Sequence, residues 1–317
     1  MNSLQLATVV VAAMVLLAGC TGFQGPETET STPSTGATEV PESEATETGT
    51  PEPTAEEAAH VGCQPGEVEK DGTCEVTVSG QNAQIFSAED LAPITAERTT
   101  LDGTPGYLAR PADDGTYPTV VVIHEWWGLN ENIEHMADIL AGHGYVVFAV
   151  DLYDGEVATT SSRAGELAGQ VRNNPEEAIA KMDRAVTALR AESYTTDRVA
   201  SLGWCFGGGQ SLQLSLSDTE LNATVIYYGS LTTDEQELQH VDGPVLGVFG
   251  SADQSIPVED VRAFEETLGD LGVEHEIYVY DGAPHAFANP SGERFHPEAT
   301  EDAWAKTLDF LEQHLKE

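Results

Sequence analysis

An α/β fold, with a mostly parallel central sheet and helices on both of its faces, is what this sequence predicts, and three observations predict it. From about Leu91 onward, short apolar runs alternate with amphipathic stretches, the rhythm of strand–helix–strand units. One run, Thr119-Val-Val-Val-Ile123, is β-branched throughout, as a strand covered on both faces should be. The residues able to do chemistry fall just past the carboxyl ends of such runs, where open α/β sheets place their sites.

The elements follow in order. Strands are predicted at 119–123, 144–150, 198–202, 223–228, 244–249 and 276–280. Helices are predicted at 133–141, 175–191, 208–216, 258–271 and 299–315. Asn174-Pro175 suits a helix start, because proline is tolerated in the first turn. These elements form one domain over 91–317, with residues 61–90 as a small extension packed on it. No internal repeat is visible.

The first sixty residues read differently. Residues 1–20 hold no charged side chain and carry the apolar run Val9-Val-Val-Ala-Ala-Met-Val-Leu-Leu17, which fits a signal-peptide core better than a spanning helix. The run ends in Leu17-Ala18-Gly19-Cys20, similar to a lipoprotein processing box with Cys20 as the lipidated residue. A basic start is missing, so an uncleaved N-terminal anchor is the alternative. Either reading predicts an exported domain held at the outer face of the cell membrane. Residues 21–60 are rich in Thr, Glu and Pro without Lys or Arg, and bury too little to offset their ordering entropy. They predict a disordered tether.

The formal charge is −41, and the nine glutamates of the tether leave about −32 on the rest, 45 acidic against 13 basic side chains. Such self-repulsion suits a protein adapted to concentrated salt, where screening lengths shrink to about 3 Å at 1 M. It excludes nucleic acid as a partner, which requires a basic footprint. Of four cysteines, Cys63 and Cys74 flank a short polar loop and could pair by disulfide in an exported chain. Two isolated cysteines predict no metal site. Cys205 is left over.

Gly203-Trp-Cys205-Phe-Gly207 stands between a predicted strand and a predicted helix, the context of a nucleophile elbow, G-x-Nuc-x-G, with cysteine in the nucleophile's place. The turn is sharp, and the glycines avoid collisions with strand and helix. A helix N-terminus beneath the sulfur favours negative charge there. A buried free cysteine in a glycine-rich turn is the plainer alternative. Two further residues tip the balance. Asp253 follows the strand ending at Phe249, and His285 follows the strand ending at Tyr280. The order nucleophile, acid, histidine is that of the α/β-hydrolase fold. His124-Glu125 is not a zinc-protease motif, since residue 128 is glycine where a second histidine would be needed. His124 is expected to be a structural hydrogen-bonder.

Four segments, Val122-Ile-His-Glu-Trp-Trp-Gly-Leu129, Val150-Asp-Leu-Tyr153, Gly203-Trp-Cys-Phe-Gly-Gly208 and Tyr280-Asp-Gly-Ala-Pro-His-Ala-Phe287, together resemble the dienelactone hydrolase family over roughly 91–315. The resemblance implies catalytic roles for Cys205, Asp253 and His285, and for Glu125 as the glutamate that takes the cysteine's proton when substrate binds. It implies an oxyanion hole from the backbone N–H groups of Phe206 and Trp126. It implies cleavage of a small ester or lactone with neither metal nor organic cofactor. Members hold a substrate carboxylate with arginines. Arg163 is the candidate for one, and Asn289 stands where the other is expected, which opens the pocket to neutral esters. Trp127, Tyr153 and Trp204 are candidates to line the pocket, or else pack in the core. The rivals are a general carboxylesterase and a surface-anchored binding protein without turnover. A thiol-redox role lacks a resolving cysteine near Cys205. The oligomeric state is open, with a monomer as the default.

Overall fold

The computed structural model describes residues 68–70, 73–76 and 81–317. The expectations for residues 1–60, Cys20 among them, and for a Cys63–Cys74 pair lie outside the described residues. Among the described residues ten strands form one sheet. A short hairpin, β1 (Val68–Lys70) and β2 (Thr73–Glu75), precedes helix α1 (Gln81–Ile85). The long hairpin β3 (Ile94–Leu101) and β4 (Thr104–Pro111) follows. The alternating part then runs β5 (Tyr117–Ile123), α2 (Glu131–Gly142), β6 (Val146–Val150), α3 (Ser161–Asn173), α4 (Pro175–Arg190), β7 (Thr195–Trp204), α5 (Phe206–Ser215) and β8 (Ala223–Tyr227). It closes with α6 (Glu235–Leu238), β9 (Val245–Gly250), α7 (Val258–Leu271), β10 (His275–Tyr280) and α8 (Pro297–Leu315).

The strand order is β1-β2-β3-β4-β6-β5-β7-β8-β9-β10. From β6 to β10 neighbouring strands are parallel, while β3 and β4 join antiparallel. The β1–β2 hairpin is thereby part of the sheet, because Cys74 of β2 pairs with Ile94 of β3. Alternation within β5 divides the core. Val120 and Val122 face α2 and α8, whereas Val121 and Ile123 face α3 and α4. Both faces are apolar, which is why the run contains no polar alternation.

The predicted elements do not include β1 to β4, α1, α3 or α6, and two of these show why. The β3–β4 hairpin is exposed in part on β3, and its Thr-, Glu- and Arg-containing strand lacks a continuous apolar run. Helix α3 contains Gly165 and Gly169, both poor helix formers, so its apolar face of Ala164, Leu167 and Ala168 was passed over. Thr160 caps it by accepting from the Arg163 N–H.

What the topology provides is a switch point. The chain leaves β5 toward β6 on one side, and β7 lies on the other, so a crevice opens at their carboxyl ends. Ile123 pairs with Gly203 across that gap. Glu125 and Cys205 therefore each stand two residues past the same rung of the ladder.

Candidate active site

Cys205 is the single residue between the end of β7 and the start of α5, with φ +56° and ψ −115°. A non-glycine residue in that region is strained, and the surroundings must enforce it. They do so by close approach. A Cβ on Gly203 would lie 2.1 Å from the Gly207 carbonyl oxygen, and one on Gly207 would lie 2.2 Å from that of Ile123. The Cys205 N–H donates to the Tyr227 carbonyl at 3.0 Å, tying the turn to β8. The sulfur is half-buried at the head of α5, where the first amides have no partner within the helix.

The loops after β9 and β10 bring up the other two groups. His285 Nε2 lies 3.1 Å from Cys205 Sγ, and its Nδ1 lies 2.7 Å from Asp253 Oδ2. Asp253 is buried, and its Oδ1 accepts from the N–H groups of Ser255 at 2.7 Å and Ile256 at 3.1 Å. Burial would raise the Asp253 pKa, but the hydrogen bonds from His285 and from these amides outweigh it and hold the carboxyl below its usual value. Burial likewise works against a charged His285. Its hydrogen bonds to Asp253 and Cys205 prevail, and the imidazole is pushed up to about 10. Asp253 is thus a fixed anion that orients the ring.

Glu125 is 3% exposed. Burial lifts its carboxyl to about 7, against the opposing pull of Asn289 and His285. Asn289 donates from Nδ2 to Glu125 Oε2 at 2.5 Å. Its neutral amide partners the glutamate without the charge an arginine would bring. Tyr228, fully buried with φ +36°, packs edge-on against the His285 ring at 5.3 Å. His124 is wholly buried and spans two loops. Leu152 N–H donates to Nε2 at 3.2 Å, so Nδ1 carries the proton given to the Glu125 carbonyl at 2.6 Å. Burial lowers its pKa, in keeping with a neutral ring. A cavity of about 610 Å³ opens over the sulfur, bordered by Glu125, Trp126, Trp127, Phe206, Tyr228 and His285.

With that geometry in place, comparison with known proteins is decisive. The family model for the dienelactone hydrolase family matches residues 104–315. The chain belongs to the dienelactone hydrolase family. A protein of Escherichia coli K12, named provisionally as a carboxymethylenebutenolidase, is 31% identical over 237 residues, covering 71% of this chain and 88% of its own length. A provisional carboxymethylenebutenolidase of Saccharolobus solfataricus is 29% identical over 271 residues, covering 74% of this chain and 99% of its own. A crystal structure from Klebsiella pneumoniae, described provisionally as a dienelactone hydrolase, superposes with a TM-score of 0.62 at 27% identity, covering 69% of this chain and 99% of the other. The protein is thus a dienelactone-hydrolase-like hydrolase of α/β-hydrolase fold.

Within this family framework three sequence expectations need correcting. Arg163 does not border the Cys205 cavity. Its guanidinium forks onto Glu156 at 2.6 and 2.8 Å and reaches Glu166 at 2.9 Å, in a separate surface hollow. Tyr153 also belongs to that hollow, being 7% exposed, with its hydroxyl donating to the Trp126 carbonyl at 3.3 Å. Trp204 is 4% exposed and packs on Tyr227 in the core, since it precedes the nucleophile position on a strand whose side chains alternate. Trp126 and Trp127 do border the cavity. The arginines found there are Arg172 of α3, whose Cζ lies 5.7 Å from the Phe206 ring centre, and Arg294. Neither was singled out in the sequence. Arg172 was recoverable from the α3 pattern, whereas Arg294 lies in a loop with no such signal.

Proposed function

We propose that the protein hydrolyses carboxylic esters or lactones through a thioester on Cys205. The observation that carries this reading is the chain Cys205 Sγ–His285–Asp253, at 3.1 and 2.7 Å, opening on the 610 Å³ cavity. In the role the resemblance gives it, Glu125 draws the thiol proton when substrate binds and later returns it, leaving the Cys205 thiolate beside a protonated His285, and the sulfur adds to the substrate carbonyl. The oxyanion turns toward the backbone N–H of Phe206 and, by family resemblance, of Trp126, each donor contributing about 3 kcal/mol. The tetrahedral adduct expels the alkoxide, which takes the proton from His285. A water then gives its proton to His285, attacks the thioester and releases the acid, returning the thiol. Asp253 holds the ring in the required tautomer.

Glu125 fits the modulating role that the resemblance implies. Its raised pKa lets it hold a proton near neutral pH and exchange it without reaching bulk water. Arg172 and Arg294 favour a substrate carrying an acidic substituent, in the role first sought for Arg163.

The test is hydrolysis of a short aryl ester by the full chain in high salt, beside Cys205→Ala. Turnover should fall at least about a thousandfold in the variant. Equal rates in the two proteins overturn the nucleophile. We place the enzyme outside the cytoplasm, tethered through Cys20. Cys20→Ser should move it from the membrane fraction to the soluble one.

A further inference from the structure

Helix α3 forms one wall of the catalytic cavity, and two of its residues, Gly165 and Arg172, border it. Seven residues apart, they share one side of the helix two turns from each other, about 10 Å along its axis. The adjoining side, Ala164, Leu167 and Ala168, is buried in the core, while Gly165 and Arg172 are exposed. A glycine inside a helix is normally excused by a left-handed backbone or by a close neighbour. Gly165 has neither. Its φ lies outside the left-handed region, and a Cβ built on it would meet no heavy atom within 4 Å. The glycine is exposed where it borders the cavity, so the space around a Cβ there is open at the cavity mouth.

The wall is held in place, so the space is defined. The loop that leads into α3 is fastened to the segment carrying the two tryptophans. Ala158 N–H donates to the Trp127 carbonyl at 2.8 Å, and Tyr153 donates to that of Trp126. Gly128 lets the Glu156 carbonyl come so close that a Cβ there would lie 2.5 Å from it. A side chain at residue 165 would therefore narrow the mouth of the cavity without pushing the helix aside. Trp126, Trp127, Phe206 and Ile256 make part of the lining apolar, alongside the polar side chains of Ser230, Ser255, Glu293 and Arg294. A cavity of this volume is ample for a ring-bearing ligand.

We infer that Gly165 is the size-determining residue of this site, and that the substrates are esters or lactones with a bulky cyclic or branched group lying against the bare backbone of α3. The inference rests on the ester-hydrolase reading and deepens it. Arg172, two turns on, would meet an acidic substituent on the far part of the same molecule.

The experiment compares Gly165→Leu and Gly165→Ala with the parent full chain on two phenyl esters, acetate and cyclohexanecarboxylate. The ratio of kcat/KM for the bulky ester to that for acetate should fall at least tenfold in the leucine variant, mainly through KM. Alanine should fall between, with a Tm no lower than the parent's. The second readout needs no turnover: the rate at which Cys205 is alkylated by N-cyclohexyl-iodoacetamide relative to iodoacetamide should drop in the same order. An unchanged ratio in both assays overturns the size rule. So does an equal loss on both esters, which marks a general effect on the helix. If Cys205→Ala cleaves both esters as fast as the parent, the nucleophile assignment is what fails, and the alkylation ratio still judges Gly165.

Discussion

The elbow and helix α3 face the same cavity, yet the sequence constrains them in opposite ways. At the elbow, backbone meets backbone. Gly203 packs on Gly207, Gly207 on Ile123, and the Cys205 amide is bonded to β8. At α3, Gly165 meets nothing and Arg172 is an exposed side chain resting near Phe206. One wall is specified atom by atom and supports chemistry. The other has room to vary and can set which molecule enters. On the proposed reading, chemistry and selectivity sit on separate elements, which lets one change without the other.

The sharpest way to break the contrast is at the elbow. Gly207→Ala puts a Cβ 2.2 Å from a carbonyl oxygen of β5, so strand or helix must shift. We expect a loss of several kcal/mol, on the order of 4, read as a Tm drop of roughly 10 °C, and hydrolysis lost with it. Gly165→Ala, the matching change on α3, should raise Tm by a few degrees, since alanine is preferred in helices by up to about 1 kcal/mol. Equal Tm values for the two variants would remove the distinction between the walls.

Glu125→Gln tests the elbow side electrostatically. The folded pKa is raised to about 7 from an ordinary 4.5. The folded state therefore binds more protons between those values, and the parent loses stability as pH rises through that window. Glutamine keeps an acceptor for Asn289 and carries no charge. The variant should match the parent near pH 4.5 and exceed it by about 3 kcal/mol at pH 8. Thermal melts across this range check it, and a difference independent of pH would contradict a buried, ionising Glu125. His285 acts in the same sense over a higher pH window. Its pKa is raised by its partners, so its contribution is complete below about 6.5 and is lost toward pH 10.

The elbow was legible in the sequence and the α3 wall was not, for the same physical reason. Backbone crowding demands particular residues, so Gly203, Cys205 and Gly207 stand out within five positions, and Asp253 and His285 follow at strand ends. Open space demands nothing. Gly165 and Gly169 read as helix breakers, although Ala164, Leu167, Ala168 and Val171 have helical spacing. Arg294 sits in a loop and carries no register at all, and with α3 unread Arg172 has no face to mark it out from Arg163. Asn289 was seen as a lost arginine, but its contact with Glu125, 164 residues away in the chain, appears only once the loops are folded together.

Those two arginines of α3 give the finest test. Arg163 is already engaged by Glu156 and Glu166, all three side chains being 40% or more exposed, so its pairs contribute little to stability. Arg163→Gln should change Tm by no more than about 1 kcal/mol equivalent and leave kinetics alone. Arg172 has no carboxylate partner among the described residues and borders the cavity. Arg172→Gln should raise KM about tenfold for an ester bearing a carboxylate, as loss of one charge-assisted contact implies, and little for a neutral ester. Because that contact is solvent-facing, the tenfold effect should shrink in 1 M salt, where charges are screened within about 3 Å. If instead Arg163→Gln carried the KM effect, α3 would have to rotate on binding substrate, and the ion pairs with Glu156 and Glu166 would have to break to let it.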